Sequence, residues 1–303
     1  MPEEFLPPER IGFVGLGNMG APMARHLVAA GYEVVAADAN AEALERFCNS
    51  VHSGRARSLI ELGQSCRLII TMLPDGATVR AVLLGDAGIA TGLAPGSVVL
   101  DMSSSEPVGT RELAAKLANS AISLVDAPVS GGVKRAVEGT LAIMAGGEPA
   151  AIARCRSVLA RLGQVFVAGA SGSGHAVKAL NNYLSAVALA ATAEAMMAGE
   201  RFGIEPTAML EILNHSTGRN TATEQKYPAF VLPRSFNSGF ALGLMAKDLR
   251  IALGMAESLG TSCALLSECA ALWSRAERLL GFSADNTEIV KYLERLTGSS
   301  IDE

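Results

Sequence analysis

The sequence predicts an α/β protein: a doubly wound, mostly parallel sheet, followed by an all-α domain with a long interdomain helix. Three observations predict it. Short apolar runs alternate with helical patterns through the first half of the chain. A glycine turn built on Gly15, Gly17 and Gly20 separates the first run from the first helical pattern. After about Ser171 the strand signals stop and only helical patterns follow.

The strand candidates, in order, are residues 11–14, 34–37, 68–72, 98–101, 124–126, 141–144 and 165–167. Several are apolar at nearly every position, as a sheet covered on both faces requires. Residues 21–30 predict a helix, with Pro22 tolerated in its first turn and Gly31 closing it. Residues 176–202 are Ala-rich and predict one long helix, ended near Gly203 and before Pro206. Further helices are expected at 206–214, 244–259, 263–280 and 287–296. The run Gly169-Ala-Ser-Gly-Ser-Gly174 allows the turn into the long helix. It divides the chain into a nucleotide-binding domain, 1–170, and a helical substrate and oligomerisation domain, 171–303.

Composition narrows the function classes. With 303 residues, half of them hydrophobic, the chain can bury two cores. A net charge of −5 argues against a nucleic-acid partner, which needs clustered Lys and Arg. The five cysteines form no Cys-x-x-Cys pair and fit reduced thiols of a cytoplasmic protein. The four histidines are dispersed, so no metal is expected. The first ten residues hold acidic side chains and prolines rather than the apolar core of a signal peptide. The most apolar later stretch, 184–199, is interrupted by Ser185, Thr192 and Glu194, so no membrane association is expected.

Gly15-Leu16-Gly17-Asn18-Met19-Gly20 follows a strand and opens a helix. Gly15 permits the tight turn, Gly17 lets the backbone approach a pyrophosphate, and Gly20 allows close helix–strand packing. The phosphates of a dinucleotide then rest on free N–H groups at the helix N-terminus. Asp38 ends the second strand, where a carboxylate can accept from both ribose hydroxyls and would repel a 2′-phosphate. NAD is therefore expected over NADP, with NADP still possible. Arg25 is expected to be a solvated helix-face charge. Met72-Leu73-Pro74 and Asp101-Met-Ser103-Ser104 also end strands, on the side where open α/β sheets bind ligands, so that Ser104 can contact the nicotinamide half, against the plainer reading of ordinary strand-end turns.

Lys178 and Asn182 are four residues apart on the long helix and share a face, with Asn181 on the neighbouring one. An amine within reach of a substrate hydroxyl can take its proton during oxidation and return it during reduction. Taken alone, Lys178 would be a solvated helix lysine; its place at the start of the second domain points it instead to a crevice facing the nicotinamide. Ser130-Gly131-Gly132 follows a strand end and offers a hydroxyl and closely spaced N–H groups that suit a carboxylate, against the plainer reading of a glycine turn. Lys247-Asp248 is less specific, since lysines on amphipathic helices usually face solvent. Residues 215–220 and 236–240 are expected to shape a pocket wall, and Arg219 is either a partner for a second carboxylate or a surface arginine.

At these residues the chain resembles the β-hydroxyacid dehydrogenase family, over residues 10–296. The resemblance rests on Gly12-Phe-Val-Gly15-Leu-Gly17-Asn-Met-Gly20-Ala-Pro-Met, Asp126-Ala-Pro-Val-Ser130-Gly131-Gly132, Gly139-Thr-Leu, Gly172-Ser-Gly-His-Ala-Val-Lys178 with Asn181-Asn182, and Met245-Ala-Lys247-Asp248-Leu. It implies a Rossmann-type domain followed by a helical domain that supports a homodimer or homotetramer. It implies Lys178 as catalytic acid/base, Asn182 as its substrate-binding neighbour, and Ser130, Gly131 and Gly132 as substrate-binding. Ser104 and Lys247 would lie near the nicotinamide or the substrate carboxylate. The implied substrate is a small 3-hydroxy acid and its semialdehyde, with 3-hydroxyisobutyrate favoured over tartronate semialdehyde. Non-catalytic scaffolds of this fold lose the lysine or add basic modules, imine reductases usually lack the lysine, and decarboxylating 6-phosphogluconate enzymes need a much longer helical domain. None of these patterns matches the chain.

Overall fold

The computed structural model describes residues 3–51 and 53–298. Met1 and Pro2 of the N-terminal segment, and 299–303 of the expected helical domain, lie outside the described residues. The chain divides into two compact units, Met1–Lys178 and Ala179–Glu303, so the division falls inside the long helix, past the glycine-rich run.

The first unit opens with β1 (Arg10–Val14), α1 (Gly20–Ala29), β2 (Glu33–Ala37), α2 (Ala41–Val51), β3 (Gly54–Arg55) and α3 (Leu59–Ser65). It continues with β4 (Leu68–Thr71), α4 (Gly76–Leu84), β5 (Val98–Asp101), α5 (Pro107–Ala118) and β6 (Ser123–Asp126). Then come β7 (Val129–Ser130), α6 (Gly132–Glu138), β8 (Leu141–Gly146), α7 (Pro149–Leu159) and β9 (Gly163–Gly169). The sheet order is β3-β2-β1-β4-β5-β6-β8-β7, with β9 beside β8. Pairing is parallel from β3 through to β6 and between β8 and β9, and antiparallel at β6–β8 and β7–β8. This is the doubly wound, mostly parallel sheet that the alternating pattern predicts.

The apolar strands fill two cores. Ile11, Phe13, Leu68, Ile70, Leu100 and Val125 enter one layer, while Val14, Ile69, Val99 and Leu124 enter the other. Successive side chains point to opposite faces, so a strand buried on both must be apolar throughout. The two-residue strands β3 and β7 carry no such run, and periodicity does not find them. The N-terminal segment has a structural task. Phe5 is buried, its N–H donates to the Arg154 carbonyl at 3.0 Å, and its carbonyl accepts from the Tyr32 hydroxyl at 3.1 Å.

The second unit contains most of α8 (Ser173–Phe202), then α9 (Pro206–Asn214), α10 (Leu242–Ser258), α11 (Ala264–Leu280) and α12 (Ile289–Thr297). Its core includes Leu189, Leu249, Trp273 and Leu293. Gly203, at φ +98°, follows the last residue of α8. No helix among the described residues is long and apolar enough to cross a membrane. One element has no sequence forewarning: Ala222–Val231 forms a π-helical segment, and Leu232 N–H bonds the Tyr227 carbonyl, five residues back. Pro228 lies inside it, which breaks the period that would mark an ordinary helix.

Gly174, in the first turn of α8, lies so near the sheet that an added Cβ would run into the Met144 carbonyl oxygen and the Asp126 backbone. Gly174→Ala should therefore cost about 1–3 kcal/mol and lower Tm by several degrees. A thermal melt with an unchanged midpoint would refute so close a seat.

Candidate active site

The glycine loop has the geometry a pyrophosphate requires. Gly15 sits at φ +98°, a backbone conformation disfavoured for any residue with a Cβ. An added Cβ there would strike the Met72 carbonyl oxygen, and one at Gly20 the Gly15 carbonyl oxygen. At Gly17 it would meet nothing within 4 Å, so this face of the loop is open. Met19 precedes α1 without a side-chain cap on the helix. Leu16 is buried, whereas Gly17 and Asn18 are exposed. Asp38 braces the loop: its carboxylate accepts from Leu16 N–H at 2.6 Å and from Asn40 N–H at 2.7 Å. Each carboxylate oxygen has further lone-pair capacity for a hydroxyl donor. Arg25 is exposed and donates to Ser50 Oγ at 3.4 Å.

A polar row runs along the strand ends. Thr71, Asp101 and Asp126 are register partners at the C-terminal ends of β4, β5 and β6, so they line up on one face. Thr71 Oγ1 donates to Asp101 Oδ1 at 2.8 Å, and Ser105 Oγ donates to Asp101 Oδ2 at 3.1 Å. Ser103 N–H donates to Asp101 Oδ1 at 3.0 Å, while Ser103 Oγ accepts from Leu73 N–H at 2.9 Å. These bonds fix the Met72-Leu73-Pro74 and Ser103-Ser104 turns against each other. Ser104 itself is partly buried.

Asp126 carries the row to α8. Its carboxylate accepts from Gly172 N–H at 2.7 Å and His175 N–H at 3.0 Å, satisfying orphan donors of the helix start. Burial pushes the Asp126 carboxyl up from its ordinary range, opposed by His175 and by these backbone donors. The His175 ring is fully enclosed, with Nδ1 at 2.8 Å from Thr110 Oγ1 and Nε2 at 3.1 Å from the Ser103 carbonyl. Lys178 follows one turn on. It is 8% exposed, which does not fit a solvated surface lysine.

Ser130 is the last residue of β7, opposite Ala142 of β8, rather than part of a free turn. Gly131 (φ +129°) and Gly132 (φ +66°) then turn the chain into α6, and a Cβ at Gly132 would meet nothing within 4 Å. The Arg135 side chain packs against Gly131, so it is the Ser130 hydroxyl and the open backbone at Gly132 that are suited to hold a carboxylate.

In the second unit, Asn182 is buried and Asn181 exposed. Asn182 Nδ2 donates to Asp248 Oδ2 at 2.6 Å, and Lys247 Nζ lies 3.7 Å from Asp248 Oδ1. Asp248 thus fixes the amide and sits against the cation. Arg219 is an exposed loop residue, 3.6 Å from Glu224. Asn220 caps the π-helical segment, accepting from Ala222 N–H at 2.8 Å, and Phe236 is a core residue.

A sequence motif contains His175 and a strand end marks Asp101, but no local signal marks Thr110 or Lys226. The available signal was modest: Thr71, Asp101 and Asp126 each place a polar side chain at the end of an otherwise apolar strand.

A family model described as the NAD binding domain of 6-phosphogluconate dehydrogenase matches residues 10–172. Another, described as NAD-binding of NADP-dependent 3-hydroxyisobutyrate dehydrogenase, matches residues 172–293. A 2-(hydroxymethyl)glutarate dehydrogenase of Eubacterium barkeri is 35% identical over 96% of this chain and 97% of its own length. An NAD-dependent L-serine dehydrogenase of Pseudomonas aeruginosa is 36% identical over 84% and 87%. The solved structure of a Mycobacterium tuberculosis 3-hydroxyisobutyrate dehydrogenase with L-serine superposes with a TM-score of 0.88 at 31% identity, covering 94% of this chain and 99% of that one. With one model spanning more than half of the chain and relatives matched along nearly all of it, the chain belongs to the β-hydroxyacid dehydrogenase family, NAD(P)-binding oxidoreductases that act on CH–OH groups.

Proposed function

We propose that this enzyme interconverts a small 3-hydroxy acid and its semialdehyde, with NAD as the preferred cofactor and Lys178 as the acid/base. The observation that carries this reading is the burial of Lys178 one turn after a helix start pinned by Asp126 and His175. A lysine held in this way has a defined position for proton exchange.

The open face at Gly17 and the uncapped start of α1 fit a pyrophosphate. Bound NAD⁺ supplies a nicotinamide carbon that accepts hydride. In oxidation, Lys178 Nζ takes the hydroxyl proton as the carbon gives up hydride and the C=O bond forms; in reduction the protonated amine returns it. Ser130, Gly131 and Gly132 hold the carboxylate. Asn182, oriented by Asp248, hydrogen-bonds the substrate. Lys247 and Ser104 serve the nicotinamide end or the carboxylate, and Met72, Leu73 and Pro74 line the cofactor side. Asp38, fixed by two backbone N–H groups, favours a free ribose diol over a 2′-phosphate.

The compounds named for these three relatives, 3-hydroxyisobutyrate, L-serine and 2-(hydroxymethyl)glutarate, share one fragment. Each carries a hydroxymethyl group on the carbon that bears a carboxylate, and they differ in the third substituent. 3-Hydroxyisobutyrate is the simplest of them, and its oxidation is the reading we favour, with tartronate semialdehyde reduction as the alternative.

Lys178→Ala should lower kcat by about 10²–10⁴-fold while NADH still binds with near wild-type Kd by fluorescence titration. Turnover retained at the wild-type rate would remove Lys178 from this role. Steady-state assays with both cofactors should give a higher kcat/KM for NAD⁺ than for NADP⁺; the reverse order would reject the reading of Asp38.

A further inference from the structure

The second unit buries a cation against neutral partners. Lys226, partly buried on the π-helical segment, donates from Nζ to Asn286 Oδ1 at 3.1 Å and Ser185 Oγ at 3.3 Å. An ammonium has three N–H groups, and among the described residues no carboxylate lies within ion-pair distance of this one. Asp285 is the charge that bears on Lys226 electrostatically. Its carboxylate is already committed to the Ser238 hydroxyl, to Gly239 N–H and Thr287 N–H, each at 2.9 Å, and to the Thr287 hydroxyl. Asn286 cannot turn away either, because its Nδ2 donates to Ser238 Oγ at 2.7 Å and the Phe240 carbonyl at 3.0 Å. Burial pulls the Lys226 ammonium down to about 8, so it remains mostly charged at neutral pH. A charge withdrawn from water while the carboxylate that acts on it is committed elsewhere opposes folding, and an arrangement that orients it so firmly suits an arriving anion.

The hydrogen bond from this cation to Ser185 of α8 suggests which anion. Ser185 follows Asn182 by three residues and Lys178 by seven, so the three share a helix face. At about 1.5 Å per residue, Ser185 is roughly 10 Å along the axis from Lys178.

We propose that Lys226, with Ser185 and Asn286, forms a subsite for a second carboxylate on the substrate's third substituent, so that the preferred 3-hydroxy acid is dicarboxylic. This rests on Lys178 serving the hydroxyl end, and it extends the 3-hydroxyisobutyrate skeleton rather than replacing it.

The test compares 2-(hydroxymethyl)succinate with 2-(hydroxymethyl)butanoate, which puts a methyl where the second carboxylate stands. Both are assayed for NAD⁺-linked turnover, and their binding to the NADH complex is measured by calorimetry. The wild-type enzyme should favour the dicarboxylate by at least about tenfold, the effect of one charge-assisted hydrogen bond. Lys226→Met should bring that ratio close to one, and Lys226→Arg should restore part of it. Equal binding and turnover of the two acids by the wild-type enzyme would overturn the subsite without any variant. So would a Lys226→Met enzyme that melts earlier but keeps the full ratio, which would make Lys226 a structural tie. A binding preference for the dicarboxylate with neither acid oxidised would uphold the subsite and instead sink the 3-hydroxy acid reading.

Discussion

The Asp126 carboxylate is the constraint on which the first unit's site depends. It ends a central strand, caps the start of α8 through Gly172 and His175, and precedes by four residues the hydroxyl of Ser130. One side chain therefore sets the spacing between the Ser130-Gly131-Gly132 turn and the helix that carries Lys178. Burial makes ionisation of this carboxyl costly, and the nearby His175 together with two backbone donors opposes that cost. Charge-assisted hydrogen bonds of this kind contribute about 1.5–3 kcal/mol each. The His175 ring extends the same network to Ser103 and Thr110, so the turn that holds Ser104 is tied to the same helix start.

The second unit handles buried polarity in two ways. Asp248 is answered within the protein, by the Asn182 amide and by Lys247, and so acts to orient its neighbours. Lys226 is held by neutral oxygens while the adjacent Asp285 is occupied in capping Thr287 and tying down Ser238 and Gly239. A folded chain gains little stability from such a cation, and orienting an anionic ligand gives it a purpose. The π-helical turn that carries Lys226 belongs to a class of backbone irregularity frequent at functional sites.

Particular elements show where sequence reasoning held and where it stopped. The strand over Val98–Asp101 and the helix over Pro206–Asn214 are located to the residue, because uniform apolarity and an N-terminal proline are local signals. The strand Val129–Ser130 is missed as a strand, since two residues beside glycines have no period to detect. The segment Ala222–Val231 is missed because its hydrogen bonds skip five residues and it contains a proline. Arg219 shows the opposite limit: its residue type suits an anion, and only the fold shows it exposed beside Glu224.

By itself the sequence determined the order and kind of the main elements and the glycine loop that opens α1, because turn chemistry and side-chain period act over a few neighbouring residues. Only the tertiary structure decided which polar groups meet. His175 and Asp126 are 49 residues apart, His175 and Thr110 are 65 apart, and Lys226 and Asn286 are 60 apart. Contacts at such separations are set by strand register and helix packing, and these depend on the whole buried core of each unit rather than on any short stretch of chain.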